Sequence, residues 1–121
     1  MMLFAAIAFV VVLWGLSTAL IFYLDSLPAR TFPWSMAAAT LLLVGCFITM
    51  WQLRDVDTVH AIAASFAAGL LAWGWTEMSL YMGYITGPRK HRCEDGCSGA
   101  AHFGHAVSAN LWHEILIIAF A

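Results

Sequence analysis

The chain has 121 residues, of which 63% are hydrophobic and only 10% are charged. Soluble domains carry about a quarter charged residues, so this composition excludes an ordinary soluble domain and indicates an integral membrane protein. The formal net charge is −2 and only five residues are basic, which argues against nucleic acid as a partner, because nucleic-acid-binding surfaces need a dense basic patch.

Uncharged apolar runs predict the membrane spans, because about 20 helical residues cross a hydrocarbon core of roughly 30 Å. The predicted spans are residues 1–24, 32–53 and 58–85, and a fourth run at 110–121 is too short to cross. The predicted fold is therefore all-α: one polytopic integral membrane domain over residues 1–121, with three transmembrane helices plus the start of a fourth. The short last run suggests the front part of a longer protein, or a final helix that only dips into the bilayer.

Basic residues in the connections predict the orientation. Arg30 lies in the first connection, whereas Arg89, Lys90 and Arg92 lie in the third, a polar loop predicted at about 86–109. These two connections share one side of the membrane, and the opposite side holds only Arg54. The positive-inside rule then places the 86–109 loop in the cytoplasm and the N-terminus in the periplasm.

The third span carries a ridge of small residues at every fourth position. Ala61, Ser65 and Gly69 are followed on the same ridge by Trp73 and Glu77. Small side chains let a neighbouring helix approach closely. We therefore expect the ridge from Ala61 to Trp73 to face protein rather than lipid.

Glu77 is the strongest single signal in the sequence. An acidic side chain inside a span costs at least about 2.5 kcal/mol to insert, so it tends to face the interior of the bundle and to find a partner. The fourth run begins on the same side of the membrane with Leu111-Trp-His-Glu114. We expect Glu77 to meet His113 or Glu114.

Two interpretations of Glu77, His113 and Glu114 stay open. In the functional one they form a cofactor-binding set, since imidazole can ligate a metal or the magnesium of a bacteriochlorophyll and carboxylates suit hard cations or proton transfer. In the structural one a hydrogen bond or ion pair joins two helices.

A second cluster of ligand types lies in the third connection, where Cys93 and Cys97 precede His102 and His105. Two cysteines and two histidines suit tetrahedral zinc, and the cysteine spacing is permitted, but the histidine pair is tighter than usual. The alternative is a solvated loop with ordinary Cys and His residues. A disulfide is disfavoured if the loop faces the reducing cytoplasm.

If residues 100–121 form one continuous helix, His102, His105 and His113 fall on roughly one face of it. No sequence motif of an enzyme accompanies these residues. The chain lacks a phosphate-binding glycine loop, a nucleophile elbow and an HExxH zincin motif.

Three stretches carry a family likeness: WGWTEM, then GYITGPRK and a Cys-containing loop, then HFGHAVSANLWHEI. Their order and spacing resemble the PuhE-like photosynthetic complex assembly protein 2 family of purple phototrophic bacteria. The likeness covers about residues 72–115, and the first two spans match only as hydrophobic helices.

The resemblance implies a polytopic protein of the bacterial inner, photosynthetic membrane that is encoded with reaction-centre genes. It would help to build the reaction centre and core light-harvesting complex or influence bacteriochlorophyll supply, with their subunits, lipids and pigments as partners. The family's signature residues would be Trp73, Trp75, Glu77, Gly87, Pro88, His113 and Glu114. Family members are longer than this chain and have several further spans.

The leading hypothesis is a non-enzymatic assembly factor or accessory subunit that acts by helix docking, with pigment contact through His113 as a further option. The runner-up is a membrane metalloenzyme that acts on a tetrapyrrole or lipid, with Glu77, His113 and Glu114 as metal ligands. A transporter is a weaker third hypothesis, because the three complete spans contain a single charge.

Overall fold

The structure is a computed structural model that describes residues 1–120 and consists of helices. They are α1 (Met2–Asp25), a short 3-10 turn (Ala29–Thr31), α2 (Phe32–Leu53), α3 (Val59–Tyr81) and α4 (Gly99–Phe120). No strand occurs among these 120 residues, so the predicted all-α class is confirmed. Ala121, the last residue of the predicted fourth helix, lies outside the described residues.

Three helices are long and apolar enough to cross a membrane: Met2–Asp25, Ala29–Leu53 and Val59–Tyr81. The prediction of three transmembrane helices followed by a fourth helix is therefore confirmed. The third helix ends at Tyr81 rather than near residue 85. Gly83 follows with a φ of +79°, a left-handed conformation that glycine adopts without strain. The carbonyl of Ser79 accepts hydrogen bonds from the N–H groups of Tyr84 and Ile85, so the chain turns away at this point.

The predicted loop at 86–109 is wrong in its second half, because α4 begins at Gly99. The segment after Gly99 is polar but rich in alanine, which favours a helix. The helix is continuous from there to Phe120. Because successive residues are rotated by about 100° around the helix axis, His102, His105 and His113 lie within an arc of about 80° around α4.

α3 is the centre of the bundle and contacts the other three helices. It is antiparallel to α2 and α4 and parallel to α1. The buried apolar residues form two clusters. One comprises Ile21, Met36, Met78 and Met82, and the other comprises Leu43, Cys46, Ala68 and Ala72.

α1 is the least packed helix, with only Ser17 and Ile21 buried. Two aromatic side chains of α1 lie beside aromatic side chains of α3. The ring centroids are 6.4 Å apart for Phe9 and Phe66 and 5.6 Å apart for Phe22 and Tyr81. Near its N-terminus α1 diverges from α3, and a gap of about 600 Å³ separates the two helices. Most of the α1 surface is therefore free to contact lipid or another protein.

A hydrogen bond inside the apolar region joins α2 to α3. Trp75 Nε1–H donates to Oγ1 of Thr40 at 3.0 Å, and the Thr40 hydroxyl donates to the carbonyl of Met36. We expect Trp75→Phe to weaken the α2–α3 contact by about 0.6–1.7 kcal/mol, the range measured for such bonds in membrane proteins. Unfolding in mixed micelles with increasing SDS, followed by far-UV circular dichroism, measures the change. Trp34→Phe is the matched control, because Trp34 is 79% exposed; equal losses in the two variants would contradict the prediction.

Candidate functional site

Glu77 and His113 join α3 to α4 inside the bundle. Nε2 of His113 lies 3.2 Å from Oε1 of Glu77, and the side chains are 5% and 17% exposed, respectively. The carboxylate of Glu77 and the imidazole of His113 are both largely shielded from solvent. Each needs a polar partner, because a buried polar group without one is costly. The contact between the two helices that the sequence predicts is present.

The two ring nitrogens of His113 differ in their surroundings. Nε2 faces Oε1 of Glu77 at 3.2 Å. Nδ1 of His113 is buried and has no hydrogen-bond partner among residues 1–120. Glu77 is therefore the polar group that the imidazole contacts between α3 and α4.

Glu114, the third residue of the expected set, does not join this pair. Glu114 is exposed. Adjacent helical residues point about 100° apart, and turning His113 toward α3 therefore turns Glu114 away. In the part of the chain that the structure describes, no group of three metal-ligating side chains includes Glu77 or His113.

The packing around His113 also bears on pigment binding. His113 is 4% exposed and its Nε2 faces Glu77. Ligation of a bacteriochlorophyll magnesium requires an imidazole nitrogen with a free lone pair and open space in front of it. The geometry therefore favours the structural interpretation of the pair.

The small-residue ridge of α3 differs in part from its prediction. Ala61 is buried, but a Cβ added to Gly69 would meet nothing within 4 Å. The small residues that pack against α2 are instead Ala68 and Ala72, beside Leu43 and Cys46. Ala68 lies one position before Gly69 and Ala72 lies three positions after it, so the α2 contact falls beside the predicted ridge.

The open side of Gly69 borders an apolar cavity of about 220 Å³ between α2, α3 and α4, which we term the bundle groove. Its lining residues are Phe47, Met50, Gly69, Ala72, Trp73, Thr76, Ile117 and Phe120. Gly69 and Trp73 belong to the predicted ridge, and Ile117 lies one turn beyond His113 on α4. The Glu77–His113 pair thus fixes the helix that forms one wall of the groove.

The segment after α3 binds to the backbone of α4, a contact that the sequence did not predict. The N–H of Gly87 donates to the carbonyl of Ala109 at 2.6 Å, and the N–H of Arg89 donates to the carbonyl of Ser108 at 3.4 Å. Gly87 is buried, and a Cβ added to it would overlap the Ser108 carbonyl oxygen. Glycine is therefore required at this position for a close approach of two backbones.

The two cysteines of the predicted metal site lie near both of its histidines. Sγ of Cys93 and Sγ of Cys97 are 3.4 and 3.3 Å from Nδ1 of His105. The ligand atoms of Cys93, Cys97 and His102 lie within 4.8 Å of one another. Both cysteines are free thiols. Burial raises the pKa of the Cys97 thiol and neighbouring Cys93 raises it further, whereas the Arg89 guanidinium lowers it.

A family model described as "Protein of unknown function (DUF3623)" matches residues 1–121. The chain is 31% identical over 84 residues to the "Uncharacterized 30.4 kDa protein in puhA 5'region" of Rhodobacter capsulatus, and these residues are 69% of this chain and 31% of that protein. The chain thus spans less than a third of the length of this curated relative. No solved structure matches the chain.

Proposed function

The chain belongs to the DUF3623 family, and we propose that it acts as an assembly factor or accessory transmembrane subunit of a bacterial photosynthetic complex. The name of the Rhodobacter capsulatus relative places that protein in the 5' region of puhA, a photosynthesis-gene context. The resemblance of WGWTEM, GYITGPRK and HFGHAVSANLWHEI to the PuhE-like family supports the same role. The complex is the reaction centre with its core light-harvesting antenna.

The proposed location is the bacterial inner, photosynthetic membrane. Three helices are long and apolar enough to span it. The basic residues of the first and third connections favour the cytoplasm for those connections and the periplasm for the N-terminus. This orientation puts Cys93 and Cys97 on the reducing side, in agreement with their free thiols.

The open side of Gly69 in the bundle groove is the observation that carries the docking mechanism. Gly69 lies in the middle of a transmembrane helix, where glycine costs about 0.5–1 kcal/mol relative to alanine. A Cβ added at Gly69 would meet nothing within 4 Å. The groove beside it can receive a large side chain from a transmembrane helix of a partner subunit, since a small residue in a span lets a neighbour come close.

The residues around Gly69 suit such a partner. Trp73, Ile117 and Phe120 supply broad apolar surfaces on both sides of the glycine. The Glu77–His113 contact keeps α4 in place, so the groove keeps its shape without the partner. The metalloenzyme alternative lacks this support, because Glu114 is exposed and does not converge with Glu77 and His113.

The proposal predicts that Gly69→Leu removes docking and leaves the fold intact. Open space surrounds Gly69, so the leucine is accommodated within the chain, and the loss of a helix-interior glycine favours α3. We expect at least about a tenfold lower yield of co-purified reaction-centre and antenna subunits, equivalent to about 1.4 kcal/mol of binding. Affinity purification of the tagged protein from mildly solubilised photosynthetic membranes measures the yield, with bacteriochlorophyll absorption as a second readout.

Gly45→Leu in α2 is the matched control, since Gly45 also has nothing within 4 Å of an added Cβ but lies outside the groove. Full co-purification with Gly45→Leu and loss with Gly69→Leu, at equal stability in SDS, supports the docking mechanism. Unchanged co-purification with Gly69→Leu rules out the groove as the docking surface. Absence of photosynthetic subunits from the preparation of the parent protein contradicts the proposed function itself.

A further inference from the structure

We propose that Cys93, Cys97, His102 and His105 form a closed structural zinc site that fixes the segment after α3 to the start of α4. This inference is independent of the photosynthetic role. It depends on the donor atoms, their distances and the way in which the chain brings them together.

The distances fit one shared metal ion. With Zn–S near 2.3 Å and Zn–N near 2.0–2.1 Å, tetrahedral coordination places a sulfur and a nitrogen about 3.6 Å apart. The two sulfurs lie 3.4 and 3.3 Å from Nδ1 of His105. The ligand atoms of Cys93, Cys97 and His102 lie within 4.8 Å of one another, so His102 supplies a further donor beside the two sulfurs.

A thiol–imidazole hydrogen bond explains less of this arrangement. One ring nitrogen offers either one lone pair or one hydrogen, yet both sulfurs converge on Nδ1 of His105. The hydrogen-bond interpretation also gives no reason for the ligand atom of His102 to lie beside the two sulfurs. A cation bound by the two sulfurs accounts for the approach of each histidine to them.

The local backbone orients the ligands. Gly96 has a φ of +89°, and the N–H of Cys97 donates to the carbonyl of Glu94 at 3.1 Å, so the chain reverses between the two cysteines. Both sulfurs can then face the same side. His102 and His105 are three residues apart on α4, a separation that places two side chains next to each other on a helix.

Four protein ligands complete a tetrahedral zinc shell and leave no position for a water or substrate, which is typical of a structural site rather than a catalytic one. Two thiolates also neutralise the charge of Zn²⁺. The segment between α3 and α4 has no regular secondary structure, and Gly87 is the one buried residue in its 83–98 range. Metal binding therefore supplies cohesion that apolar burial does not provide there.

Metal analysis of the full chain tests the site. The protein is purified in detergent with a reductant and without chelator, loaded with Zn²⁺ or Co²⁺, and freed of excess metal. We expect one ion per chain, and with Co²⁺ the intense visible absorption and sulfur-to-cobalt charge transfer of a tetrahedral thiolate site. Cys93→Ser, Cys97→Ser and His105→Ala each lower Zn²⁺ affinity by more than about 100-fold, above the 10–100-fold cost of losing a group that only supports a ligand.

Two controls and a rescue make the test specific. Cys46→Ala removes the buried thiol of α2, and His91→Ala removes an exposed imidazole from the same loop; both keep the parent stoichiometry and affinity. His105→Cys retains Co²⁺ binding with stronger charge-transfer absorption, because a third sulfur replaces a nitrogen. This rescue separates ligand loss from misfolding.

Three results would overturn the site. The first is a parent protein that holds no Zn²⁺ or Co²⁺ after loading. The second is a loss of affinity in Cys46→Ala or His91→Ala as large as the loss in Cys93→Ser. The third is a Cys93–Cys97 disulfide in protein whose thiols were blocked at cell lysis. None of these outcomes depends on whether photosynthetic subunits co-purify.

Discussion

Replacement of Glu77 by alanine is expected to destabilise the contact between α3 and α4 by about 1–3 kcal/mol, the cost of leaving a buried polar group without a partner. The reason is that His113 is 4% exposed and its Nδ1 already has no partner among residues 1–120. Without Glu77 its Nε2 would lose the carboxylate oxygen at 3.2 Å as well. SDS-induced unfolding followed by circular dichroism measures the loss.

Two further variants show whether the pair itself carries the effect. Glu77→Gln keeps an oxygen that can accept from Nε2 and should cost less than about 1 kcal/mol, as hydrogen bonds between membrane helices usually do. The double variant Glu77→Ala/His113→Ala should cost less than the sum of the single variants by at least about 1 kcal/mol. Additive losses would show that the two side chains act separately.

Replacement of Gly87 by alanine is expected to release the loop from α4. The added Cβ would lie 2.7 Å from the carbonyl carbon of Ser108, and backbone atoms cannot rotate away as a side chain can. The variant either strains both segments or loses the hydrogen bonds to Ala109 and Ser108. The combined cost is about 2–4 kcal/mol. Amide hydrogen exchange and tryptic cleavage after Lys90 and Arg92 report the release.

Gly104→Ala provides the matched comparison within α4. An added Cβ at Gly104 meets nothing within 4 Å, and the position lies inside the helix. This variant should stabilise α4 by about 0.5–1 kcal/mol and leave exchange in the loop unchanged. Equal exchange rates for residues 86–98 in Gly87→Ala and the parent protein would contradict the close approach at Gly87.

Much of the fold could be predicted from the sequence because bilayer thickness imposes a length on each apolar run. The helices α1 and α2 end within one or two residues of the predicted bounds. The start of α4 could not be placed in the same way. Residues 99–109 are too polar for a span, and hydrophobicity alone does not distinguish a helix that projects into water from a loop.

The contact of Glu77 with His113 was predictable because a charge in a span needs a partner at the same depth. The choice between His113 and Glu114 was not, since it depends on how α4 is rotated about its axis. The sequence also could not predict that one side of Gly69 is left open. The pattern shows which residues are small, but only the packing of α2 and α4 shows which of them remain uncovered.

The spacing of His102 and His105 illustrates a different point. The pair is tighter than the histidine spacing of many zinc sites, in which three to five residues separate the ligands. On a helix, residues three apart are neighbours on one face, and α4 begins before both histidines. The tight spacing therefore agrees with the zinc ligand set once the secondary structure is known.

Because α1 packs in parallel against α3, the order in which these helices are made differs from the order in which they pack. α1 is made before α3, which is completed more than 50 residues later along the chain. α2 contacts α1 less than α3 does, so α1 enters the bilayer without its main partner. The hairpin of α2 and α3 can form as soon as α3 is inserted, and α1 then joins a pre-existing pair. During biogenesis α1 is thus an independently inserted anchor before it becomes a member of the bundle.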